Sequence, residues 1–148
     1  MTTSSIAAPS YLTSYTNTMT GFSSQSQGFV LDATSTTPLI KYSKSHNSLV
    51  VRGNSISTNM EDFYKPIMAM LKNDALTSRS VTVEVSLINM NLPTLKVLFD
   101  LFKYLELKKL TGGNVEVIWR VDATNPEMID TGLNFSDLYD LDFKVLTK

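Results

Sequence analysis

With 148 residues, 43% of them hydrophobic, the chain can bury one core but not two. A net charge of −1 and no basic run longer than Lys108-Lys109 argue against nucleic acid as a partner, and the absence of cysteine excludes disulfides, thiol catalysis and thiolate metal sites. No apolar run approaches the roughly 20 residues that span a bilayer, and the start lacks a secretion signal, so a cytoplasmic chain without direct membrane insertion is expected.

Residues 1–27 are rich in Ser and Thr and carry no Asp, Glu, Lys or Arg. Such a segment cannot offset its ordering entropy by burial, which reads as a disordered tail, or as an arm that its aromatics Tyr11, Tyr15 and Phe22 anchor to a partner. Residues 28–148 are expected to form a single domain. Phe29-Val-Leu31, Leu39-Ile-Lys-Tyr42 and Leu49-Val-Val51 read as short strands, the last two as a hairpin whose turn holds the lone His46.

Thr58-Asn-Met-Glu61 fits a capping box, and Met60, Phe63, Tyr64, Ile67, Met68 and Leu71 continue it as an apolar helical stripe. Pro66 lies inside that stripe, so a kink or a helix in two pieces is predicted near Asp62 to Pro66. In Val81 to Ile88 the aliphatics Val81, Val83, Val85 and Leu87 alternate with polar residues, the period of a half-buried strand. After a polar loop, Asn89 to Thr94, the residues Leu95, Leu98, Phe99, Phe102 and Leu105 recur at helical spacing. Unpaired amides at that helix start, together with the helix dipole, favour an anion, so the loop reads as a place for a phosphate-based switch. The apolar arc of the helix is wider than the roughly 100° that a surface helix usually buries. It is flanked by helices on both sides, or part of it is offered to another protein.

Gly112-Gly113 stops this helix, and Val115 to Val121 alternates as a second half-buried strand, which predicts a crossover joining two parallel strands. Trp119 in that strand needs an acceptor for its indole N–H. Thr124-Asn-Pro-Glu127 starts a short helix that Gly132 should end, followed by a turn of helix around Asp137 to Asp140 and an edge strand over Phe143 to Leu146. The sum is an α+β fold with α/β-like crossovers: a mixed sheet of five to six strands with three helices against it.

Catalysis needs a nucleophile beside a base, carboxylates across a cleft, or a glycine loop for phosphates, and none is legible. Asp137, Asp140 and Asp142 lack the ligand order and glycine of a calcium loop. No catalytic residue, metal or cofactor is assigned. A small-molecule-binding or enzymatic domain with a pocket between helices, and a subunit self-associating through its apolar helix, are the alternatives to a regulatory binding protein.

Several motifs together carry a resemblance: Ala33-Thr34, Thr37-Pro38, Leu49-x-Val51-x-Gly53-x-Ser55, Asn59, Phe63-Tyr64-x-Pro66, Asn91 followed by Lys96-x-Leu98-x-Asp100-Leu101, and Val117-x-Trp119 with Met128 and Gly132. In this order, over residues 28–146, the chain resembles the SiaC family of bacterial regulatory phosphoproteins. The resemblance implies a STAS-like fold and a non-enzymatic role in partner switching. A protein kinase phosphorylates the strand-to-helix loop, a PP2C-type phosphatase reverses this, and the unmodified form activates a diguanylate cyclase, raising cyclic di-GMP and promoting biofilm or aggregation. It also implies a binding surface formed by Asn89, Asn91, Leu92, Pro93, Thr94, Lys96, Val97 and Leu101. The family's acceptor threonine is replaced by Leu92 and a serine by Pro93, so Thr94 is the remaining candidate for phosphorylation. Otherwise Thr94 or Asn91 caps the helix, and the chain is an unphosphorylatable variant or uses another serine or threonine.

Overall fold

The computed structural model describes residues 28–75 and 79–148; the expected tail over 1–27 lies outside the described residues. The alternating segments become strands and the i, i+3, i+4 segments become helices. In chain order they are β1 (Gly28–Leu31), β2 (Leu39–Ser43), β3 (Ser48–Ser55), α1 (Met60–Ala75), β4 (Ser80–Met90), α2 (Leu92–Leu110), β5 (Asn114–Val121), α3 (Pro126–Leu138) and β6 (Asp142–Thr147). The six strands form one sheet in the order β1-β2-β3-β4-β5-β6. β1, β2 and β3 are antiparallel neighbours, while β3 to β6 run parallel and are joined by the three helices. The expected mixed sheet with three helices is therefore the observed one.

Every crossover steps in the same direction across the sheet, and crossovers of one hand then leave their helices on one face. The burial pattern agrees. Val81, Val83, Val85 and Leu87 on β4, and Val115, Val117, Trp119 and Val121 on β5, are buried beneath the helices, and the residues between them are only half-buried. On the opposite face Glu84 sits between Arg120, at 3.0 Å, and Arg52, at 3.6 Å. No described helix is long and apolar enough to cross a membrane.

α2 lies in the middle of the helical layer. The Tyr104 hydroxyl donates to Lys72 O on α1 at 3.5 Å, and Phe99 and Phe102 meet Phe135 of α3 edge-on, with centroids 5.1 and 4.8 Å apart. Flanking helices cover most of its wide apolar arc, and Leu92, Phe99, Leu107 and Leu110 stay exposed.

Three local expectations need correction. The Thr58–Glu61 capping box does not form, because α1 starts at Met60: the Asn59 carbonyl accepts the first ladder bond from Phe63 N at 3.0 Å, and Glu61 pairs instead with Lys96 at 3.3 Å. Nor does Pro66 split the helix, which is continuous from Met60 to Ala75. The carbonyl that loses its partner belongs to Asp62, an exposed residue, so water can satisfy it. Finally, α3 does not end at Gly132 but continues to Leu138.

The glycine has a packing role instead. A Cβ at position 132 would lie 2.4 Å from Trp119 Cδ1 and 2.6 Å from Nε1, so only glycine lets α3 lie on the indole. That contact aims Trp119 Nε1 at Met128 O, 2.9 Å away, supplying the acceptor the buried indole needs. Trp119, Met128 and Gly132, three of the motif residues, thus form one packing unit. Gly132→Ala is expected to lower stability by about 2–4 kcal/mol, combining overpacking with the displaced indole bond, and to shift the Trp119 fluorescence. An unchanged urea midpoint would contradict this packing account.

Candidate functional site

β4 ends at Met90 and α2 begins at Leu92, so a single residue, Asn91, separates strand from helix. The loop expected over Asn89 to Thr94 is almost wholly absorbed into these two elements. Asn91 makes so short a junction workable because its backbone is extended while its side chain caps the helix. Oδ1 accepts from Thr94 N at 3.2 Å, and Nδ2 donates to Ser57 O at 2.9 Å. Pro93 in the first turn has no N–H to satisfy, and Asn91 N is held by Ser55 O at 3.1 Å. Only the Leu92 amide remains of the donors at this end, so the chain itself fills the anion site that the sequence suggested.

Beneath the junction runs a buried chain of hydroxyls. Gly53 has φ +118, and the register between β3 and β4 shifts beside it with Ile88 of β4 as the extra residue, while Ser55, four residues after buried Val51, is buried on the same side of β3. Ser55 Oγ lies 2.8 Å from Tyr64 Oη on α1 and 2.7 Å from Thr94 Oγ1 on α2. Thr94 Oγ1 in turn lies 2.9 Å from both Ser55 O and Asn91 Oδ1. Each hydroxyl has one proton, so one consistent assignment runs in a single direction: Tyr64 donates to Ser55, Ser55 to Thr94, and Thr94 to one of the two carbonyl oxygens. Burial pushes the Tyr64 phenol well above its ordinary range, so it stays protonated and keeps this order.

The chain is not a catalytic relay. No imidazole, amine or carboxylate takes part in it, and a protonated phenol is no base. His46 sits in the β2–β3 turn, at the far end of β3, which at about 3.3 Å per residue puts it more than about 20 Å away. Its Nδ1 faces Ser43 and Ser45 hydroxyls at 3.1 and 3.2 Å.

The residues expected to bind a partner separate into two groups. Leu92 is 78% exposed, Asn89 and Lys96 are exposed, and Asn91 and Pro93 are half-buried at the same corner. Asn89 Nδ2 also donates to Asn54 Oδ1 at 3.0 Å, tying the ends of β3 and β4 together. Thr94 and Leu101, by contrast, are on the inner face of α2 at 0% and 2% exposure, and Val97 is half-buried against the core. Leu101 therefore belongs to the core and not to a contact surface. The Thr94 hydroxyl is beyond the reach of a kinase in this conformation. Of the motif residues, Tyr64 carries the hydroxyl chain, Phe63 packs edge-on to it with centroids 5.2 Å apart, Asn59 opens the α1 ladder, and Pro66 is half-buried within α1.

The exposed corner adjoins a groove of about 620 Å³ between the end of β4 and the start of α3. Asn125 caps α3 by accepting from Met128 N at 3.3 Å, and its Nδ2 reaches back to Ile88 O at 3.1 Å, so groove and junction share one frame. Sequence reasoning gave no site role to Ser55, although the motif includes it, or to Ile88 and Asn125. The period-two spacing of Val51, Gly53 and Ser55 signalled the first, a hydroxyl on the inward side of β3; the other two gain their roles only through tertiary contact.

The hydroxyl chain has a measurable cost of removal. Thr94→Val preserves the shape but leaves Ser55 short of an acceptor, and is expected to destabilise by about 1–3 kcal/mol in urea unfolding. Thr94→Ser keeps the hydroxyl and should cost about 1 kcal/mol or less, the loss of one buried methyl. Equal losses for the two variants would contradict the hydrogen-bond account.

Comparison with known proteins places this geometry. No curated protein sequence matches the chain. Among solved structures, apo-SiaC from Pseudomonas aeruginosa is 20% identical with a TM-score of 0.71, covering 82% of this chain and 98% of that one. A chain in the crystal structure of the diguanylate cyclase SiaD in complex with its activator SiaC, from the same organism, is 18% identical with a TM-score of 0.77, covering 81% of this chain and 99% of that one. A further SiaC structure from Pseudomonas aeruginosa is 17% identical with a TM-score of 0.75, covering 82% and 98%. These likenesses establish the common fold. A family model matches residues 31–148, and on that match the chain belongs to the SiaC family of regulatory phosphoproteins.

Proposed function

We propose that this protein is a cytoplasmic, non-enzymatic signalling regulator that binds and activates a diguanylate cyclase. Its setting would be a partner-switching system with a protein kinase and a PP2C-type phosphatase, in which this chain is the variant left unmodified on the strand-to-helix loop, and it would set cyclic di-GMP and with it biofilm formation or aggregation. Family membership supports the regulatory part, and the likeness to SiaC, crystallised as the activator of SiaD, supports the cyclase as partner.

The observation that carries the reading is Leu92. An isobutyl group that is 78% exposed, on the first residue of a rigidly capped helix, has no role in this fold. Buried against a partner it would contribute about 1.5–3 kcal/mol. Ile88, 58% exposed and two residues before the end of β4, extends the same apolar corner. The family's acceptor position is thus a docking side chain in this chain, and the nearby hydroxyl, Thr94, is held inside. Phosphate could reach Thr94 only after the buried chain opens, so the protein would stand in its binding-competent form without a phosphatase acting on this loop.

Leu92→Asp places a charge at the centre of the proposed contact. It is expected to reduce capture of the cyclase from native cell extract, and the cyclic di-GMP synthesis it supports, by about 10- to 100-fold, following the lost burial. Stability should change by less than about 0.5 kcal/mol, because the side chain is exposed in the free protein. Undiminished capture and activation by a normally folded Leu92→Asp protein would count against the reading.

A further inference from the structure

The sheet ends at β6, and the outer edge of that strand is bare. Lys148 N donates to Val121 O and Lys148 O accepts from Ala123 N, so the even-numbered residues here turn their main-chain groups toward β5. By the alternation of a strand, Phe143, Val145 and Thr147 turn theirs outward, where no described strand pairs with them. The usual guards of an edge are missing. β6 holds no proline, its register with β5 runs without a bulge, and Lys144 is drawn back across the sheet to Glu116 of β5. Two leucines beside the edge are also exposed: Leu146 on the open face of the sheet, at 40%, and Leu133 on α3, at 47%. α3 lies along β6, and its Thr131 lines the groove toward α2. Leu133, two residues on and about 200° around the helix, is on the opposite flank, beyond β6.

We propose that this edge pairs with the same edge of a second copy of the chain, β6 antiparallel to β6, in one continuous sheet about a two-fold axis through Val145. The strand's complementarity to itself selects the occupant. Centred on Val145, outward-turned residues meet along its whole length: Val145 faces Val145, Phe143 faces Thr147, and Asp142 faces Lys148, with opposite charges at both ends. A shift of the centre by one residue either way sets lysine against lysine, Lys144 against itself or against Lys148. Both charges have room for the new contact. The Asp142 side chain, 3.7 Å from Lys144 of its own chain, is 59% exposed, and Lys148, near Asp122, is exposed as well. On the open face the aliphatic stem of Lys144 lies beside Leu146 of the second copy, and on the other face the two α3 flanks bring Leu133 toward its counterpart. The axis stands perpendicular to the sheet, so the two β4–α2 corners point to opposite ends and stay uncovered. The inference is therefore independent of the docking reading above.

The test is sedimentation velocity of the full chain over a range of concentrations, in which the boundary is expected to move from monomer to dimer as concentration rises. Val145→Pro removes the outward N–H on the axis while leaving the β5 ladder intact, and should hold the chain as a monomer. Asp142→Lys and Lys148→Asp should each weaken association about tenfold, because the axis counts every change twice, and the two together should restore most of it. The chain has no cysteine of its own, so Val145→Cys should cross-link to itself under mild oxidation, whereas Val30→Cys on the opposite edge, β1, should not. The charge reversals are at exposed positions, so they report on the pairing even if Val145→Pro fails to fold. A monomer at every concentration, a dimer that the reversals leave unchanged, or equal cross-linking at the two edges would overturn the inference.

Discussion

The start of α2 is held by a buried chain of hydroxyl groups, and most features of the functional corner follow from that. Tyr64, Ser55, Thr94 and Asn91 come from α1, β3, α2 and the junction residue itself, so one buried hydrogen-bonded chain ties four pieces of backbone together. Each bond adds only about 1 kcal/mol net, but any one left unmade would strand a buried polar group at a cost of about 1–3 kcal/mol. The arrangement is therefore all-or-none in character. Gly53 takes a φ of +118, which other residues rarely adopt, two residues before Ser55 at the end of β3.

A one-sided sheet turns this local lock into a surface. With the helices over one face and the parallel strands β3 to β5 ending at the same edge, the starts of α1, α2 and α3 gather at one end of the molecule. Ligands of open α/β sheets bind at that end, outside the carboxyl ends of the strands. Here the amides that would hold an anion are used by Asn91 and Ser55, while Leu92 and Ile88 face outward. The corner thus presents apolar side chains, which suits the docking role proposed for it, and the groups that hold it are buried.

Much of this fold was legible in period alone. Alternation in Val81 to Leu87 and Val115 to Val121 marked the two central strands, and helical spacing marked α2, because burial on one face imposes those repeats. Helix ends were less legible where tertiary contacts overrode local signals. Thr58 and Glu61 have the spacing of a capping box, yet Lys96 claims Glu61; Gly132 has the form of a stop, yet the indole of Trp119 explains it. At the site, the exposed position of Leu92 and the capping by Asn91 could be read from the chain. The burial of Thr94 could not, since it depends on Ser55, 39 residues away in sequence.

The central claim is that the β4–α2 junction is a preformed docking point, kept open for a partner by a buried threonine and not governed by phosphate on that residue. Protein isolated from its native cells should be measured by intact mass and by its ability to stimulate the cyclase, before and after phosphatase treatment. The account predicts that residue 94 carries no phosphate and that phosphatase leaves stimulation unchanged. A phosphorylated peptide containing Thr94, with stimulation rising on its removal, would contradict it.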